Sequence, residues 1–192
     1  GEADEEEHPR QITVAPGDYQ VVFARGDQES ETTLSVLPDP RNSLSAADRL
    51  AMVEALRSAN LLVRQTNQHR DRLSELMERL DMVLETLGDD ESLRTAGQDL
   101  HTRAGGLMEE HFTGPECQGL CRGNPTAALV GRPLGRIVGD QGPPSSNTSI
   151  MMEQAQRAAD VVAGAVNALF DGPVDEYREA LRAAGYTPLD IP

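Results

Sequence analysis

The chain has 192 residues, is 38% hydrophobic but only 3% aromatic, lacks tryptophan, and carries a formal net charge of -15. That length holds one or two small domains, and a core so poor in rings must be built from Leu, Val, Ala and Met, which suits packed helices better than an aromatic-lined pocket. A chain this acidic repels nucleic acid and anionic membranes, so neither is an expected partner.

All 17 basic residues are arginine, which fits a GC-rich genome or a salt-adapted source. The run Glu2-Ala3-Asp4-Glu5-Glu6-Glu7 makes residues 1–10 an acidic start of disordered character. The chain opens without Met and without a signal-like apolar segment, which reads as a processed or excised piece. No run is long enough to span a bilayer, so no membrane insertion is expected.

Residues 11–41 read as β-structure. Gln11-Ile12-Thr13-Val14 is a short strand, stopped at Pro16-Gly17. The next strand places Tyr19, Val21 and Phe23 on one face and Gln20, Val22 and Ala24 on the other. Gly26-Asp27 supplies the turn, and Thr32 to Leu37 returns. Pro38 and Pro40 then end the strand and disfavour helix at the residues before them. An isolated hairpin is marginal in water. This segment is therefore expected to be the remnant of an incomplete β-domain, with one face meeting a sheet that lies elsewhere.

Residues 42–192 read as a helical bundle. Ser45-Ala46-Ala47-Asp48 has the form of a capping box. After it Met52, Leu56, Ala59, Val63, Thr66, Arg70, Leu73, Met77, Leu80, Leu84 and Leu87 recur at spacings of three and four, a coiled-coil-like seam with a polar interruption at Thr66–Arg70. Gly88-Asp89-Asp90 ends that helix, and Asp90 or Ser92 caps the next, whose seam runs from Leu93 to Met108. Residues 113–125 form a Gly/Cys loop. Pro133 is expected at the first position of a short helix. Residues 147–170 form another helix, Asp171-Gly172-Pro173 breaks it, and a last helix from Val174 to Ala184 ends at Gly185. The tail from Tyr186 is extended. The expected fold class is mainly α: an antiparallel bundle of three long helices plus short ones, with the 45–87 helix antiparallel to both 91–111 and 147–170, and an N-terminal β-hairpin.

No constellation of side chains points to a reaction. Arg25-Gly26-Asp27 spells an adhesion tripeptide, but Gly-Asp is ordinary turn chemistry. Cys117 and Cys121 are read as a disulfide pair if the chain is exported, against free thiols or, with His111 and His101, a zinc site. His101 and His111 are ten residues apart on a helix, roughly 80° off a common face, so no metal and no cofactor is expected. The acid pairs Asp89-Asp90 and Glu109-Glu110 read as a helix start and a solvated helix end. Asn147-Thr148-Ser149 fits a glycosylation acceptor but overlaps a helix cap. Val53, Leu61, Leu62, Met82 and Val83 lie off the main seam of the long helix and form the expected interaction face.

Pro16-Gly17-Asp18-Tyr19-Gln20-Val21 matches a Pro-Gly-x-Tyr-x-Val pattern, Asp39-Pro40-Arg41 closes the segment, and the end runs Leu181-Arg182-Ala183-Ala184-Gly185-Tyr186-Thr187-Pro188-Leu189. In these motifs and their order residues 11–192 resemble the C-terminal immunoglobulin-like and helical region of bacterial exported sortilin-type β-propeller proteins, built of bacterial-neuraminidase repeats and sometimes labelled glycosidase-like. The Cys117–Cys121 loop has no counterpart in that pattern. The resemblance implies a bacterial protein exported to the periplasm or beyond the cell, with a propeller upstream to which any glycosidase label belongs. The expected function is a non-catalytic interaction and assembly module whose partner is its own propeller or a second copy of the chain. The alternative is an accessory lid or wall of a propeller hydrolase acting on carbohydrate or peptide.

Overall fold

The computed structural model describes residues 14–41, 44–114, 125–139 and 142–186. The acidic start, Gln11–Thr13, both cysteines and the tail beyond Tyr186 lie outside the described residues.

Two antiparallel strands come first, β1 (Gly17–Arg25) and β2 (Gln28–Val36), in an unbroken register from Gly17 opposite Val36 to Arg25 opposite Gln28. The two-residue turn has Gly26 at φ +60° while Asp27 keeps a negative φ. Positive φ at the first central position alone is the II′ pattern, whose twist suits a hairpin.

The rest is helical: α1 (Ala46–Thr86), α2 (Glu91–Met108), α3 (Thr126–Gly139), α4 (Ser146–Leu169) and α5 (Asp175–Ala183). Ser45 caps α1, its hydroxyl accepting from the Asp48 amide at 3.1 Å and donating to the Asp48 carboxylate at 2.7 Å. Asp90 and Ser145 cap α2 and α4 in the same way. The polar interruption at Thr66–Arg70 does not break α1, which runs 41 residues, about 60 Å. The Thr66 hydroxyl satisfies itself on the Leu62 carbonyl at 2.8 Å.

Two local expectations are corrected. Pro133 sits inside a 14-residue helix rather than at its start; the ring is buried, and its packing outweighs the one ladder bond it removes. Asp171-Gly172-Pro173 does not break the chain's course. The ladder widens into a π turn at Phe170–Val174, which accommodates a residue without a donor, and α5 follows directly. Another π turn, Glu109–Thr113, extends α2.

The helices form three rods. Successive residues of α2 descend α1: a Cβ on Gly97 would lie 3.0 Å from Leu84, His101 pairs with Asp81 at 3.4 Å, and Gly105 faces Met77. α3 continues that descent, with Val130 beside Leu62 and Leu134 and Ile137 beside Ala59. α4 then climbs again. Ala155 and Ala158 pack at Leu62, Asn167 accepts from Arg72 at 3.1 Å, and Tyr186 reaches Gly88. Residues 147–170 are thus antiparallel to α3 but parallel to α1, contrary to the expected direction. Two chain reversals restore the starting sense, which matching seams alone do not reveal.

Two apolar lobes result. The larger joins Leu73, Leu76, Leu80, Leu93, Leu100, Val162, Val166, Phe170, Val174, Tyr177 and Leu181. The smaller, around Ala59, Leu62, Val130, Leu134, Ile137 and Ala155, lies toward the start of α1. The α1 terminus, with no basic residue in its last turn, is closed by Arg94 of α2. Its guanidinium donates to the carbonyls of Leu84, Leu87 and Gly88 at 3.2, 2.7 and 3.1 Å, satisfying acceptors that a helix end leaves open.

Candidate interaction surfaces

Cross-strand register sorts the hairpin into two unlike faces. Tyr19 stands opposite Leu34, Val21 opposite Thr32 and Phe23 opposite Ser30, so Tyr19, Val21, Phe23 and Leu34 share one side. The other side is held by polar pairs: Ser35 donates to Asp18, and Gln20 donates to Glu31 at 2.6 Å. Tyr19 is anchored by its hydroxyl, which donates to the Ala15 carbonyl. No strand residue is buried among the described residues, and Phe23 is 64% exposed. The sequence alternation shows the β1 half of this face. Leu34 joins it only once the turn length fixes the register.

At the joint to α1, Asp39 takes a backbone hydrogen bond from Arg41 at 2.9 Å and is gripped by the Arg41 side chain at 3.1 and 2.9 Å. That side-chain contact, helped by the Arg41 amide, holds the Asp39 carboxyl below its ordinary range. The same pairing raises Arg41. Both groups are solvated, so the contact fixes local geometry rather than adding much stability.

The five residues expected to form a helical interaction face are not presented together. Val53 and Leu62 are buried, Leu62 in the smaller lobe. Val83 packs against the larger lobe. Leu61 and Met82 are exposed, at 55% and 57%. The off-seam positions are mostly a second inward stripe, because a helix flanked by two rods buries a wider arc than one seam.

Cys117 and Cys121 lie outside the described residues. Of the histidines once paired with them, His101 sits at Asp81, while His111 is buried in the π turn with Nδ1 3.0 Å from the Thr126 hydroxyl. No group of three metal-ligating side chains occurs among the described residues. Arg25-Gly26-Asp27 is the exposed hairpin tip. Asn147 is exposed in the first turn of α4, and Thr148 beside it is buried against the Ser145 cap. Among the described residues no helix is long and apolar enough to cross a membrane.

Grooves between helices are also present among the described residues. One, of about 240 Å³, lies between α2 and α5 along Asp99, Arg103, Glu176 and the Tyr177 ring. The Tyr177 hydroxyl is sealed and has no hydrogen-bond partner among the described residues, and burial, with the nearby Asp90 charge, raises its pKa. A Cβ on Gly97 would stand 2.6 Å from that oxygen, so glycine is needed there for close approach. Another, of about 330 Å³, lies between α1 and α4 along Gln65, Gln68, His69, Gln156 and Asp160.

No family model, no curated protein and no solved structure matches the chain.

Proposed function

We propose that this chain is a non-catalytic interaction and assembly module, the C-terminal part of an exported bacterial β-propeller protein. The observation that supports this reading is the hairpin face of Tyr19, Val21, Phe23 and Leu34, none of them buried and with Phe23 and Leu34 exposed, on a sheet that has no second layer among the described residues. A two-stranded sheet gains little from its own pairing, and burying such side chains against a partner yields roughly 1.5–3 kcal/mol each. The partners that fit are the protein's own propeller or a second copy of the chain. In this reading the bundle is a spacer about 60 Å long, and the hairpin makes the contact.

The test combines light scattering of the chain over a concentration series with titration against the separately produced propeller. The unmodified chain should gain mass with concentration or bind the propeller. Phe23→Glu with Leu34→Glu should abolish that behaviour while leaving helix content unchanged. An unmodified chain that stays monomeric and ignores the propeller would overturn the reading.

A further inference from the structure

The two lobes are separated along α1 by nine consecutive polar residues, Arg64-Gln65-Thr66-Asn67-Gln68-His69-Arg70-Asp71-Arg72. A 41-residue helix that contributes apolar side chains to one lobe up to Val63 and to the other from Leu73 has a polar waist at its middle. The end of the π turn at Glu109–Thr113 and the start of α3 also lie at this level. There His111 and Thr126 bond to each other.

His69 sits in this waist. Its Nδ1 is sealed from solvent and has no hydrogen-bond partner among the described residues. A buried ring nitrogen of this kind is tolerated when the imidazole is neutral and costly when it carries charge. From α4, the element packed across the groove, Gln156 and Asp160 face His69, and the Asp160 carboxylate already accepts from the Gln156 amide at 2.8 Å. On α1 the next turn carries Arg72, held by Asn167 and stacked 4.1 Å over the Phe170 ring, so this cation cannot withdraw without breaking α1 from α4.

We propose that the waist is a pH-sensitive opening point: protonation of His69 parts α1 from α4 at the level of Gln65–Arg72 before either apolar lobe unfolds. Burial first, and then the Arg72 charge, lower the His69 pKa from its ordinary 6.5. The sign follows. Well above 6.5 the ring is neutral in closed and open forms, and the waist is at full strength. As pH falls through that value the open form takes the proton first, and closure is progressively lost.

Hydrogen exchange followed by mass spectrometry at about pH 7.5 and about pH 5, corrected for intrinsic rates, tests this across the imidazole range. Segments 64–72 and 156–163 should lose protection by about tenfold at the lower pH, while 76–84 and 100–104 hold theirs. His69→Gln and His69→Asn, each checked for native helix content at the higher pH, should flatten the response. Equal loss in waist and lobes overturns the proposal. So does a waist response that persists in either variant, because His111 or a carboxylate would then be the titrating group.

Discussion

Phe170 is 4% exposed, under the Arg72 guanidinium and inside the larger lobe, whereas Phe23 is 64% exposed on a two-stranded sheet. The two residues have the same transfer free energy available, and only one has realised it. In the bundle, three rods enclose an arc on each helix and the apolar side chains find one another. The hairpin pairs its backbone and sorts its side chains, yet two strands supply no second layer. The contrast locates the buried core: it resides in the helices, and no strand residue belongs to it.

The sharpest way to break that contrast is to truncate one residue in each region. Leu80→Ala, at a fully buried position, should cost about 2–5 kcal/mol in urea unfolding. Phe23→Ala should change the same midpoint by less than about 0.5 kcal/mol. A Phe23 effect comparable to that of Leu80 would mean that the hairpin is part of the cooperative unit. Leu62→Glu combined with Val83→Glu belongs with the first class, because both side chains point into lobes. That pair should unfold the bundle rather than selectively weaken association, and circular dichroism separates the two outcomes.

Close packing in the larger lobe gives a smaller, signed effect. Gly97→Ala should destabilise by about 1–3 kcal/mol through the contact with Tyr177, offset by at most about 1 kcal/mol of helix propensity. Tyr177→Phe removes a sealed hydroxyl that has no hydrogen-bond partner among the described residues and should be neutral or stabilising by about 1 kcal/mol. In combination with it, Gly97→Ala should cost less than alone. A double-mutant cycle in thermal or urea unfolding reads that coupling.

Arg94→Ala sharpens the comparison at a helix end. Losing the donor to the carbonyls of Leu84, Leu87 and Gly88 should cost about 1–2 kcal/mol, with fraying confined to the last turn of α1. The smallest effect is expected at the hairpin. Phe23→Glu with Leu34→Glu should leave the melting temperature within a degree or two of the unmodified chain, since no buried contact is lost.

Much of this contrast is legible in the residues. Periodicity and caps place α1, α2 and α4, and Asp90 rather than Ser92 proves to be the cap. Gly185, at φ +82°, ends the last helix as expected. What local pattern could not show was long-range or a competition between effects. Pro133 and Pro173 read as boundaries, but buried packing in one case and a π turn in the other carry the helix through them. Val53, Leu62 and Val83 read as a free face because a seam of threes and fours describes one neighbour, and α1 has two. The polar interruption in α1 was visible as a weak point. That His69 Nδ1 is sealed there emerges only when α4 is laid beside it.

Amide exchange of the unmodified chain, resolved by segment at neutral pH and at a dilution where light scattering gives a monomer, tests the central contrast most directly. The account predicts that residues 17–36 exchange at near-intrinsic rates, while 73–104 and 155–181 are protected by at least about a thousandfold, the scale of a folded domain's global stability. Protection of 17–36 equal to that of the helices would contradict it, because the apolar face of the hairpin would then already be covered within the chain.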